Sequence, residues 1–268
     1  MTKRRLPAAP AFQKPERLSF KLHQDVATRW DPDVRLSSEQ EADNTISILD
    51  QIGYDYWDGG GVTAKRIAAA LRKIGHDQDV TVVINSPGGD YFEGLAIYNL
   101  LREHKGKVTA KIIGVAASAA SVIAMAADEI QIGMAAFFMI HNASVLVYGN
   151  RNDMRSIADW LEPFDQTAVD IYEARTGASV DKLKAWLDEE KWIGGKEAVA
   201  LGFADATLDS SKVAKTDTSP SQSAQRKIDL LLAMQNVPRS QRRQLIQDLR
   251  GTPESEPQTQ MASKPSAT

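Results

Sequence analysis

The chain has 268 residues, 43% apolar and 25% charged, with a formal net charge of −3. That is the make-up of a globular protein with one large domain or two small ones, and the mild negative charge gives no electrostatic basis for holding nucleic acid. The absence of cysteine excludes disulfides and thiolate chemistry.

In chain order, the opening MTKRRLPAAPAFQKPERL is basic but leads into no apolar run, so no secretory signal is expected. Residues 1–40 read as a polar N-terminal arm, in which Pro7, Pro10, Pro15 and Pro32 interrupt any long helix. A packed domain is expected over 41–207. It opens with a strand around Ile46, Ile48 and Ile52, then an amphipathic helix carrying Val62, Ile67, Leu71 and Ile74, with Gly75 as its stop. DVTVVINSPGGD is a β-branched strand ending in a turn, YFEGLAIYNLLREHKG a helix, and KVTAKIIGV another buried strand.

A small-residue helix is expected from Ser118 to about Ala127, followed by short strands at EIQIG and AAFFMIHNA. Helices are predicted from about Asn152 to Thr176, at SVDKLKAWLDEE and within KEAVALGFAD. Residues 208–268 form a polar C-terminal extension with two helical patches, AQRKIDLLLAMQ and SQRRQLIQDL, and a disordered composition from about Thr252. Alternating strands and helices between about 45 and 145 predict an α/β sheet with helical crossovers.

The run KIIGVAASAASVIAMAADEI is the most apolar in the chain. Its uncharged part, Ile112 to Ala127, falls short of the ~20 residues of a membrane-spanning helix. Its many alanines, with Gly114, Ser118 and Ser121, weaken lipid affinity further, so burial within the domain is expected.

His23, His76, His104 and His141 are scattered without metal-ligand spacing, so neither a metal nor another cofactor is expected. GGK at 194–196 lacks the rest of a phosphate-binding loop, which argues against ATP hydrolysis. Two features remain. INSPGGD ends a strand in paired glycines, which let backbone approach a ligand but also serve plain turns. Ser118 stands where a strand yields to a helix, among unpaired amides and small neighbours. That is the logic of a nucleophile elbow, although GVAASAA lacks the Gly-x-Ser-x-Gly form, and a capping or packing serine would look the same. Ser121 lies inside the helix, where its hydroxyl can bond back to a carbonyl. A serine nucleophile needs a base, and His141 is the one histidine ending an apolar core strand.

INSPGGD, GVAASAAS, MIHNAS and TGASVDKLKAWLDEEKWIGGKEAVALGFAD, in that order, resemble the Clp-type serine proteases from about Thr45 to Asp205. The wording AASAAS, DEEKW and GFAD is most similar to the phage and prophage branch, whose members serve as head maturation proteases. The resemblance implies a ClpP/crotonase-like α/β fold of repeated β-β-α units with a protruding helix-strand handle. It implies Ser118 as nucleophile, His141 as general base, and the amides of Gly89 and Ala119 as oxyanion hole. The family's aspartate falls on Glu190, a departure that leaves Asp188 as an alternative acid. Gly88, Asp90 and Asn142 would touch substrate, although Asn142-Ala143 replaces the family's Gln-Pro.

The implied function is an ATP-independent serine endopeptidase that trims capsid or scaffold proteins. The expected setting is the bacterial host cytoplasm or a phage prohead, with no membrane or nucleic-acid partner. The family forms rings, so a homo-oligomer is expected, with the Asn152–Thr176 helix as a candidate contact. A cellular Clp subunit working with a separate unfoldase is the alternative. A crotonase-like acyl-CoA enzyme and a silent shell protein are alternatives of another class.

Overall fold

Strands rich in Val and Ile build the centre of the molecule, because strands covered on both faces favour apolar side chains along most of their length. The computed structural model describes residues 19–20, 23–36, 42–53, 61–208, 213–215, 220–234, 237 and 239–249. The disorder expected from Thr252 lies outside the described residues. The N-terminal elements are β1 (Ser19–Phe20), α1 (Gln24–Arg29) and β2 (Val34–Leu36). The first half of the domain holds β3 (Thr45–Ile48), α2 (Ala64–Ile74), β4 (Val80–Ser86), α3 (Tyr91–Glu103) and β5 (Val108–Ala117). Next come α4 (Ala119–Ala124), β6 (Glu129–Gly133), β7 (Phe137–Met139) and β8 (Val145–Leu146). The remainder comprises α5 (Arg151–Thr176), α6 (Val180–Asp188), β9 (Trp192–Gly194), α7 (Gly195–Ala200) and β10 (Ala206–Leu208), then β11 (Val213–Lys215), α8 (Pro220–Met234) and α9 (Arg239–Leu249).

The chain forms a mixed α/β fold around a 7-stranded sheet with the order β10-β6-β5-β4-β3, on which β7 pairs with β5 and β9 with β7. Within this sheet only the β7–β9 pair is antiparallel. Strand β5 is the hub. Its first half, Thr109–Ile112, pairs with β6, and its second half, Val115–Ala117, pairs with β7. It therefore carries the chain out of the main ladder just before Ser118.

Helix α2 starts later than expected, leaving Val62 in a bridge to Ile52, with the Thr63 hydroxyl accepting from Arg66 N–H, and it stops as expected at Gly75, whose φ of 111° few other residues adopt. Helix α4 is shorter than the sequence suggests, ending at Ala124 rather than Ala127. Beyond Ala124 the chain tightens into three-residue turns, Ala126 N–H donating to Ile123 O and Ala127 N–H to Ala124 O, and Arg102 and buried Arg175 hold the carbonyls of Ala126 and Ala127. Arg175 also pairs with Asp205, whose carboxylate accepts from Ile130 N–H as β6 begins. The apolar run from Ile112 to Ala127 is thus divided between a strand and a short helix. Among the described residues no helix is long and apolar enough to cross a membrane.

The arm residues also contribute structure. Val26 of α1 is buried with Val115, Ala117 and Met139, against the partly buried Trp192. The Arg29 guanidinium stacks 4.7 Å over the Trp192 ring. Buried Asn85, at the end of β4, fastens the segment between α1 and β2. Its amide donates to Asp31 O at 2.7 Å and Val34 O at 3.3 Å, its side-chain oxygen accepts from Val115 N–H, and its own carbonyl accepts from the Trp30 indole. On the far side β2 pairs antiparallel with β11, and Leu230 of α8 packs on Ala27 and Trp30.

Removing the Asn85 amide strands the Val115 N–H in the core and unfastens the arm. Asn85→Ala is expected to lower unfolding free energy by about 2–4 kcal/mol, read from urea denaturation followed by circular dichroism.

Candidate active site

Strand β5 hands over to α4 through one residue, Ser118, with φ 52° and ψ −125°. L-residues avoid this region unless their surroundings impose it, at roughly 1–3 kcal/mol. The surroundings are explicit. Ser118 N–H donates to Met139 O at 2.9 Å, tying the turn to β7. The Ser118 carbonyl accepts from the Ser121 hydroxyl at 2.6 Å, and that hydroxyl meets the buried Tyr172 hydroxyl at 2.8 Å. Ser121 therefore locks the turn from inside the helix, bonding back to a carbonyl as its position suggests. The sharp turn lifts the Ser118 side chain clear of the ladder. It also leaves the N–H of Ala119, first in α4, with no intrahelical acceptor.

The glycine pair abuts this turn. A Cβ on Gly88 would lie 2.6 Å from Ala117 O and 2.8 Å from Ser118 Cβ, so only glycine allows the approach. Gly88 N–H is held by Ser86 Oγ and Asp90 N–H by Ile52 O, with the Gly89 amide between them. The Asp90 carboxylate caps α3 at Phe92 and Glu93.

His141 follows β7. The loop after it is clamped by two carboxylates. Asp165 of α5 accepts from Ala143 N–H at 2.6 Å, and Asp188 at the end of α6 accepts from the Asn142 side-chain amide at 2.7 Å. The His141 pKa is pushed down to about 4, chiefly by burial and further by neighbouring His23, while the Glu190 charge and a backbone hydrogen bond at Asn142 oppose the fall. The imidazole is neutral at pH 7 and so able to take a proton, but it is a weak base in this arrangement. Its Nε2 is buried without a hydrogen-bond partner.

Ser118 and His141 line the same cavity, with Gly89 and Asn142 beside them and an apolar wall of Val122, Phe164, Ala168 and Tyr172. The cavity holds about 20 Å³, room for about one water. Glu190 is near enough to act on the His141 charge, yet its carboxylate bonds His23 Nε2 at 2.6 Å. Among the described residues, Ser118 and Glu190 are the only non-glycine positions with positive φ. The described residues contain no group of three or more potential metal ligands.

Reasoning from sequence did not single out Tyr172, Asp165 or His23. Phe164, Ala168 and Tyr172 recur every fourth residue, a signal that could have revealed one lining face of α5. Nothing local marks His23, whose partner lies at a sequence separation of 167.

The sequence model of the family described as Clp protease matches residues 61–211. The chain is 32% identical over 139 residues to an ATP-dependent Clp protease proteolytic subunit of Deinococcus radiodurans, covering 51% of this chain and 68% of that protein. Against proteolytic subunit 1 of Chlamydia muridarum identity is 29% over 157 residues, covering 55% of this chain and 82% of the relative. Subunit 2 of Thermobifida fusca matches at 29% over 150 residues, or 54% and 74% of the two chains.

The low His141 pKa fixes a sign for stability. Between about pH 4 and the ordinary imidazole value of 6.5 the unfolded chain binds the extra proton, so stability falls as pH drops through that window. The loss is expected to reach at most about 3 kcal/mol, and His141→Gln should lack it in urea unfolding curves taken at each pH.

Proposed function

The chain belongs to the Clp protease family and is a serine peptidase, and on that premise we propose that Ser118, His141 and Glu190 form its catalytic triad. One observation carries the assignment: a strained Ser118 and a buried, neutral His141 face one cavity across the Gly89 backbone. Glu190 is preferred to Asp188 as the acid because its charge acts on His141, whereas the Asp188 carboxylate orients Asn142.

The chemistry follows from these positions. His141 accepts the Ser118 proton as the hydroxyl oxygen attacks a peptide carbonyl. Charge forming on that carbonyl oxygen is met by the amides of Gly89 and Ala119, each donor being worth about 2.7–4 kcal/mol in such sites. His141 then protonates the leaving amine, and water releases the acyl-enzyme. Glu190, brought against the imidazole, stabilises its charged form. The substrate lies extended beside Gly88–Asp90, with an apolar side chain directed at Phe164 and Ala168.

The finer role we propose is head maturation in a phage, cutting capsid or scaffold proteins without an ATPase of its own. The extended arm and C-terminal region support it, since a ring docking an unfoldase has less use for them. A second reading, the proteolytic partner of a separate unfoldase in a cell, is favoured by the names of the relatives. Either role suits a ring of identical chains. Exposed Leu146, Tyr148 and Met154, around the start of α5, suit a subunit contact.

A fluorophosphonate probe is expected to label Ser118, and Ser118→Ala and His141→Ala should each cut peptide hydrolysis by about six orders of magnitude. Retained labelling in the Ser118 variant, located by mass spectrometry on another residue, would sink the assignment. Comparing proteins cleaved in a head-assembly lysate by wild type and Ser118→Ala separates the two roles. Capsid or scaffold fragments made without ATP are expected, and fragments that appear only with an unfoldase and ATP would favour the second.

A further inference from the structure

The N-terminal arm reaches the proposed site twice. β1 pairs antiparallel with β8, Ser19 opposite Leu146 and Phe20 opposite Val145. β8 begins directly after Ser144, which ends the run of cavity-lining residues 141–144. A segment of the same chain thus holds an edge along which an extended peptide could add. His23, which precedes α1, bonds the Glu190 carboxylate at 2.6 Å, its ring centroid 5.5 Å from that of His141. The His23 side chain is largely covered, and its Nδ1 is buried without a partner.

An ion pair this exposed on the Glu190 side contributes little by itself. Its persistence comes from the anchoring of α1. Val26 is sealed in the core, Arg29 stacks on Trp192, and Trp30 and Asp31 are bonded to Asn85. These contacts hold His23 at high effective concentration beside Glu190. A carboxylate committed to His23 is not available to the His141 imidazole.

We propose that His23 is a positioning residue supplied by the arm: it holds Glu190 away from His141 and, with β1 laid on β8, keeps the site at rest until an extended peptide displaces the arm. The inference rests on the triad reading above. It explains why a base and its acid lie near one another without engaging. It also assigns a use to a histidine that the reaction itself does not require.

The test uses the full chain. His23→Ala is expected to speed fluorophosphonate labelling of Ser118 by about tenfold, well short of the hundredfold or more that general-base catalysis supplies. The gain should appear in kcat on a fluorogenic peptide and vanish in the Glu190→Gln background, while His23→Gln, whose amide can still donate to the carboxylate, stays near wild type. By nuclear magnetic resonance the His141 ring should titrate closer to ordinary imidazole once His23 is gone. Labelling of His23→Ala at or below the wild-type rate, or a gain that persists without Glu190, overturns the proposal while leaving the triad intact. If wild type and His23→Ala are both folded by circular dichroism and neither labels at Ser118, the triad reading falls and takes the inference with it.

Discussion

The site depends on one steric fact: the backbone of Gly88 lies against the carbonyl of Ala117 and the side chain of Ser118. Nothing larger than hydrogen fits there. The approach keeps the turn at Ser118 sharp and sets the Gly89 amide close to the serine. Without it the strained φ would relax, and strand β5 would run on toward a helix with no projecting hydroxyl. The same economy of volume recurs nearby, where a Cβ on Gly94 would come within 2.9 Å of Ala119 Cβ. Small residues here are a packing requirement that chemistry makes use of.

Around that turn, electrostatics rather than sterics sets the state of the base. Burial favours neutral His141, and the Glu190 charge opposes that shift. Three acids approach the region, each with a separate commitment. Asp165 and Asp188 fix the backbone and side chain of the 142–143 segment, and Glu190 faces the ring while bonded to His23. The partition follows from reach and anchoring. Asp188 and Asp165 sit on helices, whereas Glu190 occupies a left-handed bend just before β9.

Much of the α/β framework was legible in the residues. β4 announces itself by its β-branched run, β5 by its apolar one, and Gly75 marks the end of α2 by chemistry that acts within a few residues. The glycine pair, Ser118 and His141 could be read together because each closes an apolar strand. The features that escaped notice depend on partners far away in sequence. Past the end of α4, arginines at 102 and 175 hold the carbonyls of Ala126 and Ala127. α1 and β2 are too short to form by propensity alone and owe their shape to Asn85 and β11. His23 has no local mark at all; its significance arises only where the arm is docked.

The pairing of β2 with β11, and the seating of Leu230 on Ala27 and Trp30, give the C-terminal extension a hand in matters at the opposite flank. Trp30 is gripped between α8 and the Asn85 carbonyl, a few residues from His23. Clipping the chain ahead of β11 would strip the outer wall from this clasp, and the disturbance would travel along α1 to the carboxylate at 190. A cut, a fusion or a binding partner at the tail therefore bears on the clasp around Trp30.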